Sequence, residues 1–78
     1  MKPGLFRHFK GGIYLVHGVV THTETSETFV HYQEYPNGEL WIKPLDLWYK
    51  EVILEDGSRP VRYRRISKEE LQEKLKKK

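Results

Sequence analysis

Two segments of the chain concentrate side chains that could do chemistry. Arg7-His8-Phe9-Lys10 holds two cations and an imidazole, and His22-Thr23-Glu24-Thr25 holds an imidazole, a carboxylate and two hydroxyls within four residues. A turn needs only glycine or small polar residues, as in Gly11-Gly12, whereas functional groups concentrate on loops that a rigid scaffold holds. We therefore expect a ligand site at the end of the fold where these two segments meet.

Aromatic walls for this site are expected from Tyr32 and Trp41. His8 and Lys10 are two positions apart, so on an extended segment both side chains would project to the same side. There they could donate to an anionic or carbonyl group. The predicted ligand-binding residues are Arg7, His8, Lys10, His22, Glu24, Thr25, Tyr32 and Trp41. A simpler interpretation stays open, in which Glu24 and the neighbouring hydroxyls only satisfy amides of their own loop.

The four histidines raise a metal hypothesis. His17 and His31 have matching parity in two strands expected to be neighbours, and His22 and Glu24 lie in the loop between those strands. Two or three histidines with a carboxylate are a possible zinc ligand set. The chain contains no HxH, HExxH or EF-hand pattern, however. We therefore predict no metal and no cofactor, and interpret the histidines as polar or hydrogen-bonding residues.

Catalytic patterns are also absent from the sequence. Its serines lie in predicted loops or at a helix start, and none sits in a Gly-x-Ser-x-Gly elbow. Carboxylate pairs can be drawn from Glu24, Glu27 and Glu34, but a chain this small offers little cleft to desolvate them. We predict a protein that is not an enzyme. A hydrolase or metal site at His22 and Glu24 is the alternative.

Four arginines near the end of the chain indicate a second kind of ligand. They are Arg59, Arg62, Arg64 and Arg65. Small barrels bind single-stranded nucleic acid by stacking bases on aromatic side chains over a basic groove. Against this interpretation, Arg62 and Arg64 would face opposite to Arg65 on an extended strand, so the arginines would not form one patch. Nucleic-acid binding therefore remains the alternative function.

The overall charge does not favour nucleic acid either. The net charge is +3, of which residues 67–78 contribute +2 from five basic and three acidic residues. A nucleic-acid-binding domain is usually more basic, with its cations on one face. The chain has no cysteine, which excludes disulfides and fits a reducing compartment. No apolar run is long enough to span a bilayer, so we expect a cytoplasmic protein that does not engage a membrane.

The elements that position these residues are short strands separated by turns. Gly18 predicts a bend in the second strand, Asn37-Gly38 predicts a hairpin, and residues 45–49 predict one helical turn after Pro44. Val52-Ile53-Leu54 and residues 61–66 are expected to form a last strand pair around Asp56-Gly57. The predicted strands are 5–10, 13–21, 28–35, 40–43, 52–54 and 61–66.

Such strands, without room for crossover helices, predict an all-β fold, a small antiparallel SH3-like bent barrel, with a short C-terminal α-helix. Residues 1–66 are expected to form the single barrel domain and residues 67–78 a capped helical tail. The core is expected from Ile13, Leu15, Val19, Phe29, Val30, Leu40, Ile42, Leu45, Val52, Leu54 and Ile66.

The tail begins with the pattern Ser67-Lys68-Glu69-Glu70. A serine that caps the third helical amide, with a glutamate reaching back to the serine amide, is a capping box. Leu71 and Leu75 would share one face of this helix, and the lysines among residues 74–78 would lie at the negative end of its dipole. We expect the tail to be helical and dispensable for folding.

The motifs, in their order, resemble a known family. They are Arg7-His8-Phe9-Lys10-Gly11-Gly12-x-Tyr14, Val16-x-Gly18-Val19, His22-Thr23-Glu24-Thr25, Val30-x-Tyr32, Leu40-Trp41-Ile42-Lys43-Pro44-Leu45 and Pro60-Val61-Arg62-Tyr63. Together they resemble the bacterial domain of unknown function 1653, over about residues 6–66. Lys43 stands where arginine is usual, and Trp48 where phenylalanine is. Because lysine lacks the bidentate fork of arginine, no anion-binding role is assigned to Lys43.

The resemblance implies a compact β-rich bacterial domain and brings no assigned activity. SH3-like barrels often recognise extended peptides on aromatic grooves. By this analogy of fold, we expect a binding module for a peptide, a protein or a small ligand, with nucleic acid as the alternative.

Overall fold

The computed structural model describes residues 1–76, with side chains to residue 73. Five strands and two helices make up the fold. They are β1 Gly4–His8, β2 Ile13–Thr21, β3 Thr28–Glu34, β4 Leu40–Pro44, α1 Leu45–Trp48, β5 Tyr63–Ile66 and α2 Lys68–Lys76. Every strand pair is antiparallel, in the order β4-β3-β2-β1-β5. The prediction of a mostly-β fold with a short C-terminal helix is confirmed.

The strand order is compatible with an SH3-like barrel. β4 and β5 lie at opposite edges of the sheet, and α1 follows β4 directly along the chain. In the part of the chain that the structure describes, no backbone pairing joins β4 to β5. The two edges are linked instead through side chains. We call the face of the sheet that packs on α1 the inner face, and the opposite face the outer face.

A bulge in β2 sets which side chains reach the inner face. The register with β3 shifts between Val16 and Gly18, and Gly18 has a φ of 149° that L side chains rarely adopt. Because a bulge inserts one extra residue, the alternation of faces changes at this point. Val16 and Val19 therefore share one face despite their odd spacing, and the predicted bend at Gly18 is confirmed.

The core differs from the predicted one. Its buried apolar residues are Phe6, Val16, Val30, Trp48, Val52, Tyr63, Ile66 and Leu71. Of the predicted core, only Val30, Val52 and Ile66 are in this set. Ile13, Leu15, Phe29 and Leu45 are half-buried, whereas Val19, Leu40, Ile42 and Leu54 are exposed.

The reason for this difference is the large aromatic side chain of α1. Trp48 is 1% exposed, and Phe6, Val16, Val30 and Tyr63 cluster around it. An aromatic ring can bury about 150–250 Å², so a small sheet gains most by turning its own bulky residues toward that ring. Ile13 and Leu15 of β2, and Leu40 and Ile42 of β4, consequently face away from this core.

The predicted strand at Val52-Ile53-Leu54 is wrong. This segment is irregular, although Val52 is buried and a turn forms at Gly57, whose amide donates to the Leu54 carbonyl at 2.9 Å. β5 pairs with β1 instead, from Leu5 opposite Ile66 to His8 opposite Tyr63. Pairing with β1 satisfies backbone groups that would otherwise be unpaired on that side of β1.

α2 begins as predicted but uses its glutamate differently. The Glu70 amide donates to the Ser67 hydroxyl at 3.1 Å, whereas the Glu70 carboxylate accepts from the Arg64 guanidinium rather than reaching back to Ser67. Leu71 is buried and shares a cavity of ≈ 480 Å³ with Leu5 and Leu15 on the outer face.

The expectations for the Leu75 side chain and for the lysines among residues 74–78 lie outside the described residues. No helix within residues 1–76 combines the length and apolarity needed to cross a membrane.

Candidate functional site

A half-buried lysine lies on the inner face of the sheet, at the end of β4. Lys43 is paired with Val30 of β3, which is fully buried, so its side chain is directed toward the core side. Its Nζ donates to the Tyr63 hydroxyl at 2.9 Å and lies 5.2 Å from the centroid of that ring. The β4–β3 register therefore brings an ammonium group into an aromatic environment.

Aromatic rings from four strands, β1, β2, β3 and β5, surround this ammonium. The ring centroids of Tyr14 and Tyr32 are 5.7 Å apart, those of Tyr14 and Tyr63 are 5.8 Å apart, and those of His8 and Tyr63 are 4.9 Å apart. All three pairs meet edge to face, which their quadrupoles favour. We call His8, Tyr14, Tyr32, Lys43 and Tyr63 the Lys43 site.

Trp48 forms the floor of the Lys43 site. Its ring is stacked on Tyr63 with centroids 3.7 Å apart, and it meets Tyr32 at 5.2 Å. Its indole Nε1 is buried and has no acceptor among the described residues. The floor is thus a closely stacked pair of rings, and the other polar groups of the site lie around Lys43.

His8 contributes a neutral imidazole. Its Nδ1 accepts a hydrogen bond from the Lys10 amide at 3.1 Å. Burial lowers the pKa of His8 below 6.5, and the charges of Lys43, Arg62 and Lys10 lower it further. At neutral pH the uncharged form therefore predominates, and since Nδ1 is an acceptor, the proton of that form resides on Nε2. His8 therefore offers one hydrogen-bond donor.

The phenols of the site remain protonated. Burial raises the pKa of Tyr14, Tyr32 and Tyr63, and the Lys43 charge opposes that rise at Tyr14 and Tyr32. Because the Tyr63 oxygen already accepts from Lys43, its hydroxyl hydrogen is left to donate elsewhere. The site therefore combines an ammonium with several neutral donors.

This collection of donors has no acidic partner at its centre. In the part of the chain that the structure describes, no carboxylate lies within ion-pair distance of Lys43. Of the three N–H donors of an ammonium, one is used by Tyr63. Glu34 is close enough to Tyr14 to raise its pKa, but it forms no ion pair with Lys43. An anionic acceptor between Lys43 and the phenols would satisfy these donors.

The structure brings some of the predicted ligand-binding residues to this site. His8 and Tyr32 belong to it, Lys10 is beside His8, and Trp41 is paired with Tyr32 across β3 and β4. The Trp41 side chain is 52% exposed and extends the aromatic surface. Arg7 is exposed and pairs with Ile13 and Arg64, on the opposite face from His8.

The expected meeting of the two polar segments is wrong. β1 pairs with the first half of β2, from Arg7 opposite Ile13, whereas His22 follows the far end of that strand. Eight residue steps along β2 separate these ends by roughly 25 Å of chain at about 3.3 Å per residue. Residues 7–10 and 22–25 therefore lie at opposite ends of β2.

The loop after β2 is explained by its own hydrogen bonds. His22 Nδ1 accepts from the amides of Glu24 at 3.1 Å and Thr25 at 3.3 Å, and Thr25 Oγ1 accepts from the Glu27 amide at 3.2 Å. Ser26 has a φ of 61°, typical of a tight turn. These contacts correspond to the simpler interpretation, in which polar side chains satisfy loop amides. A ligand role for His22, Glu24 and Thr25 stays a prediction.

The predicted neighbours His17 and His31 do meet. Their ring centroids are 5.1 Å apart, and His17 Nε2 lies 2.7 Å from the Gln33 amide oxygen. Within residues 1–76, no three acidic or histidine side chains come together as a metal-binding group.

Each of the four arginines contacts its own chain. Arg59 forms an exposed ion pair with Glu51 at 3.3 Å. Arg62 Nε donates to the Lys50 carbonyl at 3.0 Å, and Arg64 pairs with Glu70. Arg65 donates to the Lys2 and Pro3 carbonyls and lies 4.6 Å from the Phe6 ring centroid. Paired with Arg7 and Phe6 respectively, Arg64 and Arg65 face opposite sides of the sheet.

The sequence interpretation missed three members of the Lys43 site. Lys43 was assigned no anion-binding role, and Tyr14 and Tyr63 were not among the predicted site residues. Strand alternation does indicate that Tyr14 lies on the same face as Val16, and Tyr63 on the same face as Arg65. This alternation could have pointed to the two tyrosines. Lys43 lies beside Tyr63 only because the folded sheet brings its two edge strands, β4 and β5, toward each other.

Comparison with known proteins agrees with this fold. A family model described as protein of unknown function (DUF1653) matches residues 4–65. The crystal structure of a DUF1653 protein from Bordetella bronchiseptica is similar to this chain, with a TM-score of 0.70 and 30% sequence identity, over 86% of this chain and 88% of that chain. No curated protein matches the chain significantly.

Proposed function

The chain belongs to the DUF1653 family, and on that premise we propose that it is a non-catalytic binding module. Its Lys43 site receives an anionic group, such as a carboxylate, carried by a peptide, a protein or a small ligand.

One observation carries the proposal. A half-buried ammonium is surrounded by phenols and a neutral imidazole, with no carboxylate at ion-pair distance among the described residues. Hydrogen bonds to a charged group contribute about 1.5–3 kcal/mol each, and a buried charge is unfavourable without compensation. A ligand carboxylate would supply that compensation, while Trp41 and Tyr32 offer faces on which an apolar body could stack.

We propose no catalytic step at the Lys43 site. The raised pKa values keep the phenols protonated, and the imidazole nitrogen that could accept a proton, His8 Nδ1, already accepts from the Lys10 amide. The arrangement suits recognition, in which donors stay protonated and directed at an acceptor.

Titration with a simple aromatic carboxylate tests the proposal. Benzoate carries a carboxylate on a planar apolar body, whereas benzamide has the same shape without the charge. In amide and side-chain NMR spectra, we expect benzoate to produce saturable shifts at His8, Tyr14, Lys43 and Tyr63. Benzamide should produce much smaller ones. Equal shifts with both compounds would contradict an anion site.

Matched lysine variants sharpen the test. Lys43→Gln should weaken benzoate binding by about tenfold or more, as a lost charge-assisted hydrogen bond predicts, whereas Lys43→Arg should retain it. Lys68→Gln, which changes an exposed lysine at the start of α2, should leave affinity unchanged. If Lys43→Gln and Lys68→Gln behave alike, the binding is nonspecific electrostatic attraction and the proposal is wrong.

NMR measurements of the same kind would also detect nucleic-acid binding, the alternative function. Because the four arginines are engaged by groups of their own chain, the structure adds no support to that interpretation. An oligonucleotide that shifts amides of residues 59–65 rather than the Lys43 site, with affinity falling steeply with salt, would favour nucleic-acid binding instead.

A further inference from the structure

We infer that the open edge of β4 pairs antiparallel with β4 of a second copy of this chain. β4 is an edge strand, with β3 as its partner on one side. Three consecutive residues of it carry large exposed side chains. Leu40 is 61% exposed, Trp41 is 52% exposed and Ile42 is 55% exposed. An exposed apolar edge strand is a template for pairing with another chain.

The other edge of the sheet shows how this fold prevents such pairing. β5 carries Arg64 and Arg65 at its centre, and charged side chains are a common device that blunts an edge. The Arg65 guanidinium also holds the start of the chain through the Lys2 and Pro3 carbonyls. The stretch Leu40-Trp41-Ile42 has no charge, so the β4 edge lacks the charged residues that protect the β5 edge from pairing.

The sequence of β4 is complementary to itself in one antiparallel register. A two-fold axis at Trp41 places Leu40 opposite Ile42 and Glu39 opposite Lys43 of the second copy. Apolar side chains then face apolar ones, and opposite charges face each other, as cross-strand pairs prefer. Shifting the axis by one residue to Leu40 would instead put Glu39 opposite Trp41. A two-fold axis also fits the isologous interface of most protein dimers.

Both faces of the joined sheet gain contacts in this register. Alternation along the strand sends Leu40 and Ile42 to the outer face and Trp41 to the inner face. On each face, exposed apolar side chains of the two copies would become neighbours. β4 is only five residues long, so we expect the buried area to stay below the roughly 1,200 Å² of stable interfaces. The dimer should therefore be weak and concentration-dependent.

The experiment is a concentration series on the full chain by sedimentation equilibrium and NMR. Between micromolar and millimolar protein, we expect the weight-average mass to rise toward the dimer, with amide shifts centred on residues 39–43. Mixing labelled and unlabelled protein should give intermolecular contacts between backbone protons of Leu40 and Ile42. Ile42→Lys, at an exposed position on the outer face, should shift association at least tenfold toward the monomer, and Glu39→Lys should act in the same direction.

Val61→Lys provides the control, because Val61 is 66% exposed but lies outside β4; this variant should associate like the parent. A chain that stays monomeric at millimolar concentration would overturn the inference, as would association that survives Ile42→Lys. If β4 amides respond only to an added foreign peptide, the edge serves another partner and self-pairing is wrong. Benzoate binding to an Ile42→Lys monomer separates this result from the proposed function.

Discussion

The Lys43 Nζ donates to the Tyr63 hydroxyl at 2.9 Å and thereby joins the two edge strands of the sheet. β4 and β5 share no backbone pairing in the described residues, so side chains alone link these strands across the mouth of the fold. The same contact fixes the ammonium among the aromatic rings. This pair of residues therefore contributes both to the closure of the sheet, together with the stacking of Trp48 on Tyr63, and to the proposed site.

Breaking this pair should lower stability through the interaction itself. Tyr63→Phe keeps the stacking on Trp48 but removes the acceptor of Lys43, and we expect a loss of about 1–2 kcal/mol in the free energy of unfolding. A double-mutant cycle with Lys43→Met, measured by urea denaturation, should give a coupling energy of at least about 0.5 kcal/mol. Additive effects of the two substitutions would show that the contact contributes nothing.

The imidazole of His8 should titrate at lower pH than an exposed histidine. Its pKa is lowered from 6.5, first by burial and then by Lys43. Since the unfolded chain binds this proton more readily, His8 contributes stability that is complete above pH 6.5 and is lost as pH falls through the folded pKa. NMR titration of the His8 ring measures the shift, and a normal or raised pKa would contradict the site's electrostatics.

Benzoate should raise the pKa of His8. A bound carboxylate favours the imidazolium, and by linkage the affinity must increase as pH falls through this pKa. His8→Gln should remove the pH dependence while retaining part of the binding through Lys43. A His8 titration that is unchanged at saturating benzoate would place the anion elsewhere.

Trp48 should tolerate phenylalanine better than alanine. Trp48→Ala removes the ring on which Tyr63 stacks and should destabilise the fold by about 3–5 kcal/mol. Trp48→Phe keeps a ring and deletes the indole Nε1, which is buried without an acceptor among the described residues. We expect its effect on the free energy of unfolding to stay under about 1.5 kcal/mol. Equal losses for the two variants would mean that Nε1 has an acceptor in solution.

The C-terminal helix should dock through Leu71 and Glu70 without being required for folding. Deleting residues 67–78 removes Leu71 together with its buried contact. This should lower the free energy of unfolding by about 2–3 kcal/mol. The shortened chain should still unfold cooperatively in urea, because none of the described α2 side chains, residues 68–73, belongs to the inner-face core around Trp48. Loss of a cooperative transition would make α2 part of the core.

Acid should weaken the contact between α2 and the sheet. The hydrogen bond from Arg64 holds the pKa of Glu70 below its usual 4.5. The contribution of the carboxylate is present above that value and is lost as pH falls through the lowered pKa. Leu71 methyl shifts followed from pH 6 to acid should change in this window, and Glu70→Gln should remove the change.

Much of the local structure could be predicted from residue types alone. β2 was predicted at its observed bounds because its β-branched and aromatic residues are dense, and Gly18 marked the bulge because few other residues accept its φ. Pro44 and the apolar residues after it predicted the helical turn of α1, and Ser67 the start of α2. Each depends on neighbours within a few positions.

The core and the site required the packed sheet. Strand alternation shows that Tyr14 and Leu15 face opposite ways, but not which of them faces the core. That choice depends on Trp48, which arrives from a helix about 30 residues away in sequence. Similarly, Lys43 meets Tyr63, and β5 meets β1 rather than residues 52–54, only when the order β4-β3-β2-β1-β5 has formed.

By itself, the sequence determined a small antiparallel β domain of the DUF1653 type, with its turns, bulge and helix starts, because backbone preferences act over short distances. The tertiary structure alone decided that residues 7–10 and 22–25 lie apart and that His8, Tyr14, Tyr32 and Tyr63 gather around Lys43. Burial of large rings and a single ammonium involves groups distant along the chain, and their energies depend on the register that the whole sheet adopts.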